Sequence, residues 1–318
     1  MMSPMRQVGQ NEPGRRRIGI GLAFAAAVIS GFSVYLNAQA VRAFGDPLLY
    51  TTIKNIIAAV GLLALVSLMA ARLPAERLTR PRGAGAIVGL GFVGIIGGGI
   101  AFALFFAGLA QTAAASAGFI QKSLVIWVAI LAVALLRERF GRWHVLAIAL
   151  LVAGQMASSG TVALPAMGSG EAMILAATLL WSLEVIVAKR LLAQLSPLTV
   201  GLARMAGGGG VLVVLSIGTG TIASLGSLTL TQWAWVGLTG AILTGYVAVW
   251  LSALSRAQAT DVTAVLVFGA VITALVSSGG QIERLAPNAV GYALIAAGAA
   301  VTAALALRSQ RLARQPQM

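Results

Sequence analysis

The chain has 318 residues, of which 59% are hydrophobic and 9% are charged, and its formal net charge is +14. A soluble domain carries about 25% charged residues, so this composition excludes a soluble globular protein and favours an all-α polytopic protein in a lipid bilayer. There is no cysteine, which excludes thiolate catalysis and cysteine metal sites. The basic residues lie between apolar runs instead of forming one basic face, so we expect no nucleic-acid partner.

Ten apolar runs approach the roughly 20 residues that cross a bilayer as a helix. The first run follows Arg15-Arg16-Arg17 and ends near Ala38-Gln39-Ala40, as in a signal peptide. Its length and its counterpart in the second half favour a retained helix. The ten predicted spans are 18–38, 48–71, 84–107, 112–136, 143–160, 171–191, 198–218, 231–254, 260–281 and 287–307.

The basic residues fix a predicted orientation. With the N-terminus inside, the cytoplasmic segments hold 17 lysines and arginines and the outer segments hold only Arg42 and Arg284. This asymmetry follows the positive-inside rule, so we predict a multi-pass protein of the cell (inner) membrane with both termini cytoplasmic.

An internal repeat divides the chain. Asp46-Pro47 aligns with Ser196-Pro197 at a shift of 150, and Leu109 through Glu138 aligns with Leu254 through Glu283 at a shift of 145. Each half has five spans, and an odd number inverts the second half relative to the first. The predicted organisation is a cytoplasmic tail (1–17), a first repeat (18–160), a second repeat (171–307) and a second cytoplasmic tail (308–318).

The block from Ala110 to Met156 resembles an EamA repeat, with Leu136-Arg137-Glu138-Arg139-Phe140 followed by Leu151-Val152-Ala153-Gly154. The second half is similar, with Gln281-Ile282-Glu283-Arg284-Leu285 and Ala297-Gly298. The resemblance implies the ten-helix drug/metabolite transporter architecture. It further implies that spans one to four and six to nine surround a cavity, that five and ten are peripheral, and that small metabolites are exported. Family members often have a proline partway along spans four and nine; Val125 and Ala270 occupy those positions here, which argues against a kink.

Three cations fall within predicted spans. Lys122, with Gln121 before it, lies near the middle of span four, where a lysine should face a wet cavity, bind an anionic group or be neutral through desolvation. The alternative for Lys122 is a structural role in helix packing. Lys54 and Arg204 occupy equivalent positions in the two repeats, about 9 Å below opposite faces. Each is a candidate binding or gating group, and the alternative is that each snorkels to its nearest interface.

Glu184 is the one carboxylate well inside a predicted span. It could form a structural ion pair with Arg204 or Lys189, or it could be a proton-coupling site. Its counterpart in the first repeat is Val34, so Lys54 has no equivalent acid. A carboxylate-bearing substrate would supply the missing negative charge.

Further polar and aromatic residues are candidate cavity residues: Tyr35, Asn55 and Trp181. The sequence Gly89-Leu90-Gly91-Phe92-Val93-Gly94 has the spacing of a dinucleotide motif but lies inside a span without a preceding strand, so helix packing accounts for it. No cofactor is predicted. No metal site is predicted either, because His144 is the single histidine and the chain has no cysteine.

These features favour a secondary transporter, monomer or homodimer, that exports a small amino-acid-like or carboxylate-bearing metabolite by alternating access. The alternative within transport is a phosphorylated-metabolite or nucleotide-sugar exchanger. An integral membrane lipid-modifying enzyme would need His, Asp or Glu together at one membrane face, whereas Glu138, Asp261 and Glu283 are expected to be isolated or on different sides. We therefore predict that the chain is not an enzyme.

Overall fold

The structure is a computed structural model that describes residues 13–69, 78–112, 114–138, 141–158 and 167–312. All regular elements in these ranges are helices. In the first half they are α1 (Pro13–Phe44), α2 (Pro47–Met69), α3 (Ala84–Phe92, a π-helical segment Val93–Ile100, then Ala101–Gln111), α4 (Ala114–Lys122 and Leu124–Leu136) and α5 (Arg142–Ser158).

The second half repeats this order of five long helical segments. They are α6 (Ser169–Leu191), α7 (Pro197–Gly218), α8 (Leu230–Arg256), α9 (Ala259–Leu266 and Gly269–Ser277) and α10 (Ala289–Leu312). Short 3₁₀ turns cover Thr221–Ser227 and Ile282–Asn288. The fold class predicted from the sequence, an all-α chain of two five-helix repeats, is confirmed.

Nine of these segments are long and apolar enough to cross a membrane. The exception among the described residues is α5, which has 17 residues. Residues 159 and 160 of the predicted span lie outside the described ranges. Helix α1 begins at Pro13, so residues 13–17 of the predicted tail are helical. The remainder of that tail, residues 1–12, also lies outside the described ranges.

The two aligned dipeptides of the repeat both start helices. Asp46 Oδ1 accepts hydrogen bonds from the backbone N–H groups of Leu48 and Leu49, each at 2.9 Å. Ser196 Oγ accepts one from Thr199 N at 3.2 Å, with Pro197 in the first turn. An acidic or hydroxyl N-cap before proline satisfies N–H groups that have no partner within the helix. The two repeats therefore share a side-chain N-cap at the start of their second helices, α2 and α7.

Helices α4 and α9 are both interrupted, although neither contains a proline. The interruptions fall at Ser123 and around Phe268, which are equivalent positions in the repeat. Ser123 Oγ donates to Ile120 O at 2.7 Å and so competes with the helical backbone pattern. Beyond Phe268, Gly269 packs against the Ala27 carbonyl of α1, where a Cβ atom would lie 2.8 Å from that oxygen. Both helices are thus interrupted two residues before Val125 and Ala270 without a proline, and the absence of a gating kink at those two positions stays a prediction.

Contacts between helix ends define a face that we call the basic face. Glu138, after the end of α4, contacts the start of α9, and Arg16 of α1 forms an ion pair with Asp261 of α9. Arg190, at the end of α6, donates to Leu135 O. Since α4 ends at this face and α9 begins there, the two equivalent helices run in opposite directions.

Helices α5 and α10 pack against each other beside the other eight. Gly154 lies against the backbone of Gly291, and Gly298 lies against Ala147 O and Leu151. Added Cβ atoms there would come within 3 Å of neighbouring atoms, so the glycines permit close helix approach. The central cavity is bordered by residues of the other eight helices.

Candidate functional site

A cavity of about 150 Å³ lies between the two repeats. Helices α1 to α4 and α6 to α9 all contribute to its wall. Its polar lining residues are Ser30, Ser33, Asn37, Lys54, Gln121, Lys122, Glu184, Arg204 and Thr263. Its aromatic lining residues are Phe102, Phe105, Phe106, Trp181, Tyr246 and Trp250. The cavity thus combines apolar walls with few polar groups, as small-molecule sites usually do.

Lys54 is 2% exposed and its ammonium is directed into the protein instead of to an interface. Lys54 Nζ donates a hydrogen bond of 2.9 Å to Asn37 Oδ1 of α1. It also lies 4.3 Å from the ring centroid of Phe106 and 5.3 Å from that of Tyr50, distances at which an aromatic face attracts a cation. The described residues offer this ammonium one neutral acceptor and aromatic faces but no carboxylate.

Tyr50 fixes the position of Asn37. The Tyr50 hydroxyl donates to Asn37 Oδ1 at 2.6 Å and lies 3.0 Å from Thr239 Oγ1 of α8. Asn37 Nδ2 in turn donates to Ser33 Oγ at 3.0 Å. The amide oxygen that Lys54 contacts is therefore held by Tyr50, whose hydroxyl also contacts α8 of the second repeat.

Glu184 and Arg204 form a two-point ion pair between α6 and α7. Arg204 Nε donates to Glu184 Oε1 at 2.5 Å, and Arg204 Nη2 donates to Oε2 at 3.1 Å. Both side chains are buried, at 1% and 5% exposure, and both border the cavity. The structural ion pair considered for Glu184 is thus present.

Lys189, the other partner considered for Glu184, lies elsewhere. Its ammonium donates to the carbonyl oxygens of Leu254 and Ala257, at 2.7 and 2.6 Å. These carbonyls lie at the end of α8, where C-terminal helix carbonyls lack partners within the helix. Lys189 therefore closes the end of α8 at the basic face and does not border the cavity.

The π-helical segment of α3 packs directly against this ion pair. Gly97 adjoins the Glu184 carboxyl group, and Gly98 adjoins the Arg204 carbonyl so closely that neither position has space for a Cβ atom. The carbonyl oxygens of these glycines are used by other helices: Trp181 Nε1 donates to Gly97 O at 3.0 Å, and Asn55 Nδ2 donates to Gly98 O at 2.8 Å. Gly97 and Gly98 therefore serve close packing, as do Gly89 and Gly94 of the rejected dinucleotide motif, whereas Gly91 of that motif has no neighbour within 4 Å.

Lys122 and Gln121 border the cavity at the interruption of α4. Both side chains are half-buried. Among the described residues, Lys122 has no hydrogen-bond or ion-pair partner. A cation without a counter-charge beside a buried cavity favours an anionic ligand or water there.

Two more donors, on residues that border the cavity, lack partners among the described residues. They are Arg204 Nη1 and the Trp250 indole Nε1, and both atoms are buried. Their residues border the cavity and stack on each other, with the Arg204 guanidinium carbon 5.6 Å from the Trp250 ring centroid. Buried donors without acceptors are costly, so an acceptor-rich ligand would satisfy them.

Two predicted site residues do not border the cavity. The lining residues of α1 follow helical spacing at 30, 33, 34, 37 and 38, and Tyr35 is off that stripe. Asn55 follows Lys54 by one residue, which turns it about 100° around the helix, and its amide contacts α3 instead.

A polar cluster at the basic face corrects the expectation that the acidic residues near the faces are isolated. Arg16 Nη2 donates to Asp261 Oδ2 at 2.7 Å, and His144 Nε2 lies 3.8 Å from Asp261 Oδ1. Glu138 binds the neighbouring residue, Thr260. Glu138 and Asp261 come together because α4 ends where α9 begins. Neither borders the cavity, and no metal-binding group of three such residues occurs in the described ranges.

The aromatic part of the site was largely missed from the sequence. Phe102, Phe105 and Phe106 share one face of α3 by their spacing, and Tyr50 precedes Lys54 by one helical turn. These spacings could have identified the cage around Lys54. Tyr246 and Trp250 stack at 6.2 Å on α8, and their approach to Arg204 depends on tertiary packing that spacing does not reveal.

The fold and its cavity define a polytopic helical membrane protein built from two five-helix repeats. The sequence profile of the EamA-like transporter family matches residues 17–159 and again 168–307. Each match covers one repeat and together they include most of the chain, which therefore belongs to the EamA-like transporter family.

A solved crystal structure has the same fold. It is 18% identical in sequence, covers 90% of this chain and 98% of its own, and superposes with a TM-score of 0.71. At that identity the likeness concerns the fold alone. No curated protein matches the chain.

Proposed function

We propose that this protein is a secondary transporter that exports a small carboxylate-bearing metabolite, in the manner of an amino acid, by alternating access of two inverted repeats. The main support for this proposal is the excess of positive charge in the central cavity. Three cations, Lys54, Lys122 and Arg204, border it together with a single carboxylate, Glu184. Membership in a transporter family supports the general class. We place it in the cell (inner) membrane with both termini cytoplasmic, as its charge asymmetry favours.

In this proposal the carboxylate of the substrate binds between Lys54 and Lys122. Neither ammonium has an acidic partner among the described residues, so a substrate anion gains charge-assisted hydrogen bonds there without breaking an ion pair. Phe102, Phe106 and Trp181 offer apolar contact to the rest of the molecule. Glu184 is already engaged by Arg204, which favours a structural role over proton coupling.

A phosphorylated metabolite is the second candidate, favoured by the unpartnered Arg204 Nη1 and Lys122. A planar guanidinium and two ammonium groups also suit a phosphate. An enzyme is disfavoured because the His, Asp and Glu cluster at the basic face is engaged in contacts with other helices and does not border the cavity.

The test is counterflow in proteoliposomes with a panel of amino acids, other organic acids, sugars, nucleosides and phosphorylated sugars, with and without a pH gradient. The proposal expects exchange of carboxylates and none of neutral sugars or nucleosides. Exchange confined to phosphorylated compounds would favour the second candidate. Equal exchange of neutral sugars would contradict both candidate substrate classes. The absence of exchange with every gradient and counter-substrate would also contradict both.

A further inference from the structure

Glu138 clamps the first turn of α9 at the basic face. Its Oε1 accepts a hydrogen bond from Ala259 N at 2.7 Å, and its Oε2 accepts bonds from Thr260 N at 3.1 Å and Thr260 Oγ1 at 2.8 Å. The first N–H groups of a helix lack partners within it and carry partial positive charge. The Glu138 carboxylate therefore caps α9 from another helix, 121 residues away in sequence.

The backbone at the end of α4 is bent to bring Glu138 there. Arg137 has φ 54° and ψ 36°, the single non-glycine residue with positive φ in the described ranges. This left-handed conformation is disfavoured for arginine and persists where surrounding contacts impose it. Glu138 N then donates to Ala132 O at 3.2 Å. Ala132 O accepts from both Arg137 N and Glu138 N, as at many helix ends with a left-handed residue, and this turn places Glu138 beside α9.

The internal repeat contains the carboxylate and the helix start a second time, but without the hydroxyl of Thr260. At the shift of 145, Glu138 corresponds to Glu283, and Ala259 and Thr260 correspond to Ala114 and Ala115 at the start of α4. Because α9 runs away from the basic face, Glu283 lies at the opposite one. There it is exposed, and it has no hydrogen-bond or ion-pair partner in the described part of the chain.

The second repeat also ends its helix differently. Helix α4 continues to Leu136, which corresponds to Gln281, whereas α9 ends earlier, at Ser277. Gly279 and Gly280 follow with φ of 67° and 79°. The equivalent segments therefore have two conformations, clamped in the first repeat and unclamped in the second.

The cavities agree with this asymmetry. A second cavity shares Ala38 and Leu109 with the central one and extends to Arg42 and Gln111, at the ends of α1 and α3. Those ends lie at the face opposite the clamp, since Ser169 Oγ at the start of α6 donates to Gln111 Oε1. On the basic-face side, Thr263 of α9 borders the central cavity. The clamp at Ala259 and Thr260 lies one helical turn closer to the basic face.

We propose that Glu138 and Glu283 are equivalent gate residues that act in alternation. Each glutamate caps the first turn of α9 or α4, whichever belongs to the other repeat, and thereby closes the membrane face at which that glutamate lies. The described conformation is the one with the basic face closed by Glu138 and the Glu283 gate open. In the other conformation Glu283 caps the start of α4, and α9 separates from Glu138. This inference rests on the proposed alternating access, but it does not depend on which substrate is carried.

The chain has no cysteine, so single cysteines can report access to the cavity. Ser30→Cys places a nearly isosteric thiol in the cavity wall on α1, and in separate vesicles Gly141→Cys, in the exposed turn before α5, identifies which side of the membrane holds the basic face. A membrane-impermeant maleimide is added to either side. In Glu138→Gln the amide nitrogen replaces one oxygen and cannot accept hydrogen bonds.

We expect Glu138→Gln to increase labelling of Cys at position 30 from the basic-face side about tenfold, the change for roughly 1.4 kcal/mol of lost clamp energy. The matched variant Glu283→Gln should give no increase from that side and undiminished labelling from the opposite side. Thr260→Val removes one bond of the clamp without touching Glu138, should give a smaller shift in the same direction, and serves if Glu138→Gln fails to fold.

Unchanged labelling in both Glu138→Gln and Thr260→Val would overturn the proposal, as would a shift of Glu283→Gln in the same direction as Glu138→Gln. Because labelling needs no substrate, its outcome is separate from the counterflow assay. A labelling shift without carboxylate exchange would support the gate residues and reject the proposed substrate class. Carboxylate exchange without a labelling shift would support the substrate class and reject the gate residues.

Discussion

The ammonium of Lys54 and the amide oxygen of Asn37 lie 2.9 Å apart, on neighbouring helices at the wall of the central cavity. Asn37 is neutral, so the contact orients the lysine without cancelling its charge. The lysine side chain is 2% exposed. A cation at a buried position inside a membrane span favours binding of an anionic substrate.

Removing this charge should weaken substrate binding. In Lys54→Met and Lys122→Met we expect the KM for carboxylate counterflow to rise about 10- to 100-fold, because a charge-assisted hydrogen bond to a desolvated anion contributes about 1.5–3 kcal/mol. Lys189→Met is the matched control, since Lys189 contacts carbonyl groups of α8 away from the cavity, and its KM should not change. Full carboxylate transport by both cavity variants would remove the basis for the proposed site.

The Glu184–Arg204 pair should act as a unit in stability. Glu184→Ala leaves the Arg204 guanidinium buried without its counter-charge, and we expect a loss of about 3–5 kcal/mol, measured as a lower thermal unfolding midpoint in detergent. The double variant Glu184→Met with Arg204→Met should recover most of that loss. Unchanged stability together with loss of pH-gradient dependence would instead identify Glu184 as a proton site.

The π-helical segment provides a prediction about packing. Gly98→Ala would place a Cβ atom against the Arg204 carbonyl, so we expect a loss of about 1–3 kcal/mol from overpacking. Gly91→Ala is the control on the same helix, because no atom lies within 4 Å of the added Cβ; it should be neutral or slightly stabilising. Equal unfolding midpoints for the two variants would show that α3 can shift away from α7.

The contact between Arg16 and Asp261 should stabilise the basic face. Asp261→Asn keeps the shape of the side chain but removes its charge, and we expect a loss of about 1–3 kcal/mol in unfolding free energy. Glu171→Gln, at the start of α6 on the opposite face, is the charge-matched control and should change stability little. If the two variants unfold alike, the ion pair contributes nothing measurable.

The sequence predicted features that depend on composition and local chemistry. Long apolar runs indicated the helices, and the repeat placed equivalent capping residues at Asp46 and Ser196. The charged residues Lys54, Lys122, Glu184 and Arg204 were identifiable because charge is rare within a span. All four border the cavity, although their roles as substrate or gating contacts stay predictions.

Features set by packing between the repeats could not be predicted in this way. Arg16 and Asp261 are 245 residues apart, and nothing local in either segment indicates the other. Tyr35 and Asn55 are polar residues in spans, yet one helical step from the lining positions turns them away from the cavity. The interruptions of α4 and α9 arise from hydroxyl and glycine contacts that proline counting does not detect.

The unequal charges of the cavity have an electrical consequence. With both lysines protonated, Lys54, Lys122, Arg204 and Glu184 sum to two positive charges, and a bound monocarboxylate reduces that sum to one. If the two repeats move this cavity's charge through part of the membrane field, each full elementary charge corresponds to about 2.3 kcal/mol per 100 mV. The empty and loaded proteins would then respond differently to voltage, and a negative interior would favour returning the empty cavity to the cytoplasmic side.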